Sequence, residues 1–325
     1  MTGPQPRRAQ DAGAPAVVAG EVAAALAGGG PVVALETTLV SHGFPGGQGL
    51  EVALASEARV RAAGAVPATV GVIDGAVRVG LTGAELERFA AAGESARKVG
   101  ARDLAACVVQ GALGATTVGG TLAVCRGAGI RFMGTGGTGG VHRDFAASLD
   151  ISSDLPQIAR TAAMVVSSGA KSILDVAATA ELLETLGVPV LGWRTATLPL
   201  FYSAGGGPPV SAVVATAVEA ARIAAQHWRL NGSSGLLLAR PPDPAVDLEP
   251  LIAEAVSQVR DRGVSGQAVT PAVLSLVHEL SGGRSVAVNR QLIADNAALA
   301  AEVAVAYARA PGSGAPAGPP GGTAE

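Results

Sequence analysis

Residues 68–79, ATVGVIDGAVRV, contain two apolar runs of strand length on either side of Asp74-Gly75. An Asp-Gly pair between such runs is typical of a two-residue turn, because both turn positions take a positive φ. This stretch therefore predicts a tight hairpin, and with it at least one antiparallel pair of strands in a β-sheet.

On both sides of the hairpin, apolar runs of strand length alternate with Ala-rich segments of helical period. This alternation is typical of helices packed around a largely parallel sheet. We therefore expect an α/β fold with three layers, in which helices surround a largely parallel, mixed central sheet, and with a helical C-terminal part. The predicted strands are residues 31–35, 68–73, 130–133, 163–167, 188–192 and 236–239.

Two helix starts can be read locally. Thr82 is followed three residues later by Glu85, which is the pattern of a capping box, and Thr270-Pro271 places proline in a first turn.

Residues 16–309 show no internal repeat or linker and are predicted to form one domain. The flanking residues 1–15 and 310–325 are rich in Pro, Gly and Ala and are predicted to be disordered tails.

The composition and charge of the chain limit the classes of binding partner that it can have. The chain has 325 residues and a net charge of -3 that is not collected in blocks, which argues against nucleic acid and membrane surfaces as partners. Only 3% of residues are aromatic, so platforms for stacked bases are scarce. No apolar run reaches the roughly 20 residues of a membrane span. With two cysteines and no recognisable export signal, we expect a cytoplasmic protein with a small-molecule partner.

The chain contains two lysines, Lys98 and Lys171, among 23 Lys plus Arg. Because guanidinium does not lose its proton in proteins, a retained lysine can mark a position that needs a neutral amine, although chance explains two lysines as well. Lys171, in SSGAKSILD, follows a predicted strand, and we expect it to open a helix as a nucleophile. A solvated lysine is the alternative. Lys98 lies near Arg97 and Arg102, which suggests a phosphate clamp or a solvated basic patch.

A glycine-rich loop at residues 133–145, MGTGGTGGVHRDF, contains the pattern G-x-G-x-x-G at Gly134, Gly136 and Gly139. A dinucleotide-binding loop would continue into an apolar helix, but the next residues are VHRD. We therefore predict a loop that cradles an anion or lets the backbone approach a ligand. An NAD-dependent oxidoreductase is the rival interpretation.

Several acids stand at predicted element ends. Glu36 ends the apolar run PVVALE, where burial would raise its pKa into the range for proton transfer; an acid facing water is the alternative.

In the segment LDISSDL, Ser153 is predicted to cap a helix containing Pro156. Asp150 precedes that helix and suits a hard divalent cation that keeps most of its waters. His42 and His142 occur in loops beside glycine, where contact with metal or phosphate is possible.

In combination these segments resemble the pseudouridine-5'-phosphate glycosidases, also called pseudouridylate synthases or the indigoidine-A family. The resemblance covers about residues 31–305. The motifs that carry it are ALETTLVSHGFP, GAVPATVGVIDGAVRVGL, ARKVGARDL, GATTVGGT, GTGGTGGVHR, LDISSDL, SSGAKSILD and LGVPVLGW.

The resemblance implies a lyase-type enzyme that reversibly cleaves pseudouridine 5'-phosphate to uracil and ribose 5-phosphate. It also implies a homotrimer and one divalent cation per subunit, usually Mn²⁺, with Mg²⁺ or another divalent ion as an alternative. By matching motif, Glu36 would be the proton donor, Lys171 the covalent nucleophile and Asp150 the metal ligand. The substrate contacts implied in the same way are Lys98, Val118 through its backbone, Ser152, Ser153, Asp154 and Asn289.

These residue types suit the chemistry. Pseudouridine joins C1' to a carbon of uracil, so the ordinary protonation of a leaving heteroatom is not available. An amine that forms an iminium (Schiff base) at C1' provides an electron sink, and an acid can protonate the departing carbon. A glycosidase of the same fold acting on another C-nucleotide and a non-catalytic sugar-phosphate-binding protein remain alternatives.

One loop departs from the family pattern. After His42-Gly43-Phe44-Pro45 the family usually has a second proline and an asparagine, whereas this chain has Gly46-Gly47-Gln48-Gly49. We therefore expect a loop that closes less tightly over the substrate, or one that accepts a different base.

Overall fold

The structure is a computed structural model that describes residues 16–232, 234–264 and 269–310, with the backbone alone at residues 45, 270 and 271. The predicted tails, 1–15 and 310–325, lie outside the described residues except for residue 310. Within the described part, no helix is both long and apolar enough to cross a membrane.

The described strands and helices alternate along most of the chain. The strands are β1 (Val17–Val18), β2 (Val32–Glu36), β3 (Val66–Ile73), β4 (Ala76–Val79), β5 (Arg97–Val99), β6 (Gly114–Thr116), β7 (Phe132–Gly134), β8 (Val141–His142), β9 (Met164–Ser167), β10 (Leu174–Asp175), β11 (Val190–Trp193), β12 (Ala212–Val214) and β13 (Leu236–Ala239). The helices are α1 (Gly20–Ala27), α2 (Thr38–His42), α3 (Gly49–Ala62), α4 (Gly83–Ala92), α5 (Leu104–Val109), α6 (Val118–Ala128), α7 (Phe145–Ser148), α8 (Asp154–Ala159), α9 (Val176–Thr185), α10 (Ala217–Asn231), α11 (Glu249–Asp261), α12 (Val269–Leu280) and α13 (Arg284–Ala308).

The central sheet is mixed and mostly parallel. Its strand order is β1-β4-β3-β2-β7-β9-β13-β11-β12, with β6 also paired to β3 and β5 paired to β6. Strand β3 pairs antiparallel with β4 and with β6, and the other pairs in this sheet are parallel. Strands β8 and β10 form a separate antiparallel pair. The predicted sheet is confirmed, and all six predicted strands occur within one or two residues of their expected bounds.

Two local predictions, the Asp74-Gly75 hairpin and the Thr82 capping box, are confirmed. Ile73 pairs with Ala76 across the hairpin, and Asp74 and Gly75 have φ values of 52° and 77°. Thr82 Oγ1 accepts a hydrogen bond from the Glu85 amide at 3.3 Å, while Glu85 Oε2 accepts one from the Thr82 amide at 2.8 Å. This reciprocal cap opens α4 and is worth about 1 kcal/mol.

Helices cover both faces of the sheet, which gives the predicted three layers. On one face α1, α6, α8 and α9 pack against the sheet, where Val70 and Leu122 are fully buried. On the other face α3, α10 and α13 pack against it, where Val33 and Ala300 are fully buried. Small side chains such as Ala let the helices approach the sheet closely, since interiors pack without large voids.

The predicted helical C-terminal part is also confirmed. Helices α11 and α12 contribute Ile252 and Val277 to a third apolar cluster, which they share with Ile173 and Phe201 from loops beyond the sheet. Burying this cluster fixes the loop between β9 and β10 against the C-terminal helices. That loop contains Lys171, so the C-terminal part supports one wall of the candidate site.

Candidate active site

Glu36 is the last residue of β2, at the carboxyl edge of the sheet. Strands β2, β7 and β9 are parallel neighbours, so the segments that follow them meet at the same edge, where α/β folds bind ligands. Glu36 is only 4% exposed, and Thr135 Oγ1, just after β7, donates a hydrogen bond to Glu36 Oε1 at 2.5 Å. The alternative of an acid facing water is therefore wrong.

Burial raises the pKa of Glu36 to about 7, although the charge of Lys171 and the hydrogen bond from Thr135 act in the opposite direction. A carboxyl group with this pKa is partly protonated near neutral pH. It can therefore donate a proton and take one back, as general acid–base catalysis requires.

The raised pKa predicts a pH-dependent loss of stability. Because folded Glu36 holds its proton more tightly than the unfolded chain, whose carboxyl has a pKa near 4.5, stability falls as pH rises from about 4.5 through 7. The expected loss is about 3 kcal/mol over this window. Urea unfolding of wild-type protein and of Glu36→Gln at several pH values measures it. The variant should lack this loss, and parallel curves for the two proteins would contradict the prediction.

Lys98 and Lys171 come to the site from different elements. Lys98 is the middle residue of β5 and pairs in register with Ala115 of β6. Burial lowers the pKa of Lys98, and the neighbouring charge of Lys171 lowers it further. Lys171 lies in the loop after β9, where its amide donates a hydrogen bond to the Thr138 carbonyl at 3.0 Å.

The expectation that Lys171 opens a helix is wrong. The chain from Leu174 to Asp175 instead forms β10, which pairs with β8, and α9 begins only at Val176 after the capping residue Asp175. Lys171 therefore lies outside the first turn of α9. The structure does place Lys171 in the loop after the buried strand β9, at the same end of the sheet as Glu36 and Lys98.

The ionisable residues predicted from the sequence influence one another electrostatically. The pKa of Glu36 is lowered by the charges of Lys171 and Lys98 and raised by that of Asp154. The pKa of Lys98 is raised by Asp154, Glu36 and Asp150. The structure thus brings these five side chains together at one end of the sheet, as a pair of amines among three carboxyl groups.

Asp154 joins two loops of the site through its carboxylate. Its two oxygens accept hydrogen bonds from the Gly119 amide at 2.7 Å and from the Gly139 amide at 2.9 Å. The side chain is 4% exposed, and a Cβ placed on Gly139 would lie 2.0 Å from Ser152 Oγ. Asp154 therefore positions the first turn of α6 and the glycine-rich loop relative to each other.

The neighbouring serines behave differently from the expectation. Ser153 occupies the position before α8, and Pro156 lies in the first turn of that helix, but the Ser153 side chain makes no capping hydrogen bond. The hydroxyl of Ser152 instead accepts a hydrogen bond from the Asp154 amide at 3.2 Å. Ser153 Oγ would lie 3.4 Å from a Cβ placed on Gly100, which is two residues after Lys98 in the chain. The predicted side-chain cap is wrong, and the Ser153 hydroxyl is left for other contacts.

Val118 is the fully buried first residue of α6. In that first turn, the Gly119 amide is bound by Asp154, and the Gly120 amide donates to Thr117 Oγ1 at 3.2 Å. Among the described residues, the Val118 amide has no such partner. It is therefore the backbone donor of this first turn that has no partner in the described part of the chain, at a helix end whose dipole favours negative charge.

The glycine-rich loop does not have the form of a dinucleotide-binding turn. After Gly139 the chain continues into β8, which pairs with β10, instead of starting a helix against the sheet. A Cβ on Gly134 would lie 2.8 Å from the Ala297 backbone, so this glycine serves close packing on α13. This supports the predicted ligand-approach loop and removes the structural basis of the NAD hypothesis.

Asp150 is the open carboxyl group of the site, with a side chain that is 39% exposed. Its Oδ2 lies 3.7 Å from His142 Nε2. Among the described residues, no cluster of three or more His, Cys, Asp and Glu is arranged to hold a metal. Both oxygens of Asp154 are taken by amides, so the donors that fit a largely hydrated cation are Asp150 and, next to it, His142.

Asn289 lies on α13 beside Gly136, and its Oδ1 is buried with no hydrogen-bond partner among the described residues.

Two other polar residues of the site, Thr135 and Asn296, were not predicted from the sequence. Thr135 binds Glu36, and the fully buried Asn296 donates a hydrogen bond from Nδ2 to the Thr135 carbonyl at 2.8 Å. The one sequence signal for Asn296 is an amide inside an Ala-rich, otherwise apolar helical segment.

Together these features define an α/β protein that gathers a buried, protonatable acid and two amines at the carboxyl edge of its sheet. The chain belongs to the family described as Indigoidine synthase A like protein, whose family model matches residues 21–306.

Individual relatives cover most of the chain. It is 47% identical over 295 residues to a pseudouridine-5'-phosphate glycosidase of Herpetosiphon aurantiacus, with 89% of this chain and 97% of that protein aligned. It is 46% identical over 300 residues to a protein of the same name from Chloroflexus aurantiacus, with 89% and 97% aligned. Among solved structures, the prealnumycin C-glycosynthase AlnA in complex with ribulose 5-phosphate superposes with a TM-score of 0.82 at 43% identity, covering 90% of this chain and 96% of that one. An indigoidine synthase A-like protein of Thermotoga maritima gives a TM-score of 0.78 at 34% identity, covering 86% and 94%.

Proposed function

We propose that this chain is a pseudouridine-5'-phosphate glycosidase, which reversibly cleaves the bond between C1' of ribose and C5 of uracil. The observation that carries the proposal is the buried Glu36, whose raised pKa responds to the charge of Lys171 at the same edge of the sheet. The names of the relatives support this substrate class. The ribulose 5-phosphate bound by the related C-glycosynthase supports a sugar phosphate as one half of the substrate.

The proposed cleavage uses one amine and one acid. The neutral amine of Lys171 attacks C1', the bond between C1' and the ring oxygen breaks, and the nitrogen gives up a proton to that oxygen and so regains its lone pair. Glu36 then gives its proton to C5 of uracil. The nitrogen lone pair forms an iminium at C1', while the electron pair of the C1'–C5 bond returns to the uracil ring. Water hydrolyses the iminium to ribose 5-phosphate and the free amine, and the proton released returns to Glu36, so the sum is substrate plus water to uracil plus ribose 5-phosphate.

The remaining residues are proposed to hold the sugar phosphate. Lys98 supplies a positive charge, and the Val118 amide donates from the first turn of α6. Ser152 and Ser153 offer hydroxyl groups beside that turn, and Asp154 keeps the two loops in place through its amide bonds. Asn289 is proposed to contact the base.

A divalent cation, with Mn²⁺ as our choice and Mg²⁺ as the alternative, is proposed to bind Asp150 and to keep most of its waters. When bound, it would supply positive charge to the substrate phosphate or hydroxyl groups. The support for this proposal is that Asp150 is an exposed carboxylate at the same end of the sheet as Lys98, whose pKa its charge influences.

Replacing Asp150 by asparagine tests the cation site without relying on turnover. We expect Asp150→Asn to weaken Mn²⁺ binding, followed by the electron paramagnetic resonance signal of free Mn²⁺, by roughly 100-fold or more, because it removes the protein's own charged ligand. The matched control is Asp144→Asn, which changes another acid of the same loop region and should leave the affinity unchanged. Equal Mn²⁺ affinity in wild-type protein and Asp150→Asn would contradict the assignment.

The proposed activity itself is tested by incubating purified protein with pseudouridine 5'-phosphate and Mn²⁺ and measuring uracil. Release of uracil with multiple turnovers supports the glycosidase. Binding of ribose 5-phosphate without any release would favour the non-catalytic sugar-phosphate-binding protein. Turnover restricted to another C-linked aglycone would favour a glycosidase of the same fold that acts on a different C-nucleotide. The related prealnumycin C-glycosynthase is an example of a different C-linked product in this fold.

We further propose that the enzyme is a cytoplasmic homotrimer. Apolar side chains stand exposed on the described surface, notably Val109 at 87%, Leu149 at 73% and Leu230 at 81%. Leu149 adjoins Asp150, so a neighbouring subunit could cover apolar surface next to the site. Light scattering coupled to gel filtration measures the mass in solution, and a monomer over the working concentration range would contradict the trimer.

A further inference from the structure

A cavity of about 310 Å³ lies between α2 on one side and the C-terminal helices α12 and α13 on the other. It is referred to below as the His42 cavity. Its walls include His42, Phe44, Tyr202, His278 and Asn289. Three buried polar atoms on these walls have no hydrogen-bond partner among the described residues: Nδ1 of His42, Nδ1 of His278 and Oδ1 of Asn289. Leaving such atoms unpaired is costly, which indicates that a polar ligand completes them.

The His42 cavity adjoins the acid–amine site. Asn289 on its wall lies beside Gly136, and the preceding residue, Thr135, is the one that binds Glu36. From the other side, the charge of Lys98 contributes to lowering the pKa of His42. A ligand part held in the cavity therefore sits next to the proton donor.

The hydrogen bonding of His42 fixes what it can offer to a ligand. Its Nε2 lies 3.0 Å from the Ala96 carbonyl, and because a carbonyl only accepts, Nε2 must carry a proton. Burial, more than any other cause, lowers the pKa of His42, so the ring is neutral near pH 7. In the neutral ring the proton on Nε2 leaves Nδ1 with a lone pair. His42 lines the cavity and thus carries a buried, unpaired hydrogen-bond acceptor at its wall.

Two of the three unpaired atoms, His42 Nδ1 and Asn289 Oδ1, are acceptors, and together they call for a ligand with two donors. The third, His278 Nδ1, donates or accepts according to the tautomer of its ring. A uracil joined to sugar through carbon keeps both of its ring N–H groups, whereas a uracil joined through nitrogen has lost one. The volume of the cavity lies at the small end of ligand sites, which suits a single six-membered ring, and the aromatic side chains of Phe44 and Tyr202 are among its walls.

We propose that His42 is a specificity-determining residue, which accepts a ring N–H of the base through Nδ1 and so favours a C-linked pyrimidine with two free N–H groups. This inference rests on the proposed glycosidase function and names a contact that selects its substrate. Gly46 and Gly47, from the loop that departs from the family pattern, line the same cavity with positive φ values of 61° and 76° and contribute no side chains to it.

A matched pair of variants separates the role of the Nδ1 acceptor from that of the hydrogen bond between Nε2 and the Ala96 carbonyl. His42→Gln can keep a donor near the Ala96 carbonyl but removes the acceptor at the Nδ1 position, whereas His42→Asn keeps an acceptor near Nδ1 and loses the Ala96 bond. In the synthetic direction, we expect His42→Gln to raise the KM for uracil about tenfold and to leave the KM for ribose 5-phosphate unchanged. His42→Asn should stay within about threefold of wild type for both substrates.

N-methylated bases make the test specific to one hydrogen bond. Wild-type enzyme should discriminate against 1-methyluracil or 3-methyluracil relative to uracil, and His42→Gln should lose most of that discrimination for one of the two. If His42→Gln matches wild type in its KM for uracil and in discrimination against both methylated bases, or if His42→Asn is the more impaired variant, the inference is overturned. Wild-type protein that releases no uracil would overturn the proposed function and this inference together, whereas an active wild type with unaltered His42→Gln overturns the inference alone.

Discussion

Lys171→Arg is expected to lower kcat for uracil release by about 10⁴-fold or more, because the chemistry requires a side-chain amine that can lose its proton. Arginine keeps the positive charge beside Glu36 and is of similar length, but its guanidinium stays protonated at any working pH. The variant should therefore fold and bind ribose 5-phosphate, yet form no covalent adduct with it. Steady-state uracil release and intact-protein mass after reduction measure the two effects.

The other lysine provides the matched control. Lys98 is proposed to act through its charge, so Lys98→Arg should retain the adduct and lose only about tenfold in kcat/KM. A Lys171→Arg variant that still releases uracil at a rate close to that of Lys98→Arg would show that Lys171 is not the nucleophile.

Glu36→Gln is expected to lower kcat by about 10³-fold, since general acid catalysis contributes roughly 10²–10⁴-fold. Glutamine has the same shape, and its amide oxygen can still accept the hydrogen bond from Thr135, but it has no acidic proton for C5 of uracil. Formation of the ribose 5-phosphate adduct at Lys171 should survive. In the wild-type enzyme the cleavage rate should fall as pH rises above about 7, because the protonated form of Glu36 is lost there.

Glu57 is the matched control for this substitution. Burial also raises the pKa of Glu57, and Thr69 Oγ1 donates a hydrogen bond to it at 2.5 Å, but its charged neighbours are Arg61 and Glu21, away from the site. Glu57→Gln should change kcat by less than about twofold. Equal losses in the two variants would mean that Glu36 acts through stability, and not as the proton donor.

Features that depend on short segments of sequence could be predicted well. The Asp74-Gly75 hairpin and the Thr82 capping box each rest on residues within one turn, and both are present. The placement of Glu36 at a strand end followed from the apolar run before it. In each case a local pattern carried the information, because side-chain periodicity and turn geometry act over a few residues.

Features that depend on distant contacts were missed or wrong. The segment after Lys171 reads as a helix start, but Leu174 pairs with His142, and this pairing between segments far apart in sequence extends the loop. Thr135 and Asn296 gain their roles from partners about a hundred or more residues away, which no local pattern encodes. The unpaired Nδ1 of His42 likewise becomes visible only when the other ring nitrogen is seen to bind Ala96.

Trapping the covalent adduct is the most direct test that Lys171 is the nucleophile. Full-length protein is incubated with ribose 5-phosphate, reduced with borohydride and digested, and the modified peptide is identified by mass spectrometry. We expect one pentose phosphate per chain, attached at Lys171 in SSGAKSILD, and none in Lys171→Arg. A label on Lys98 or on another residue, or adduct formation that persists in Lys171→Arg, would contradict it.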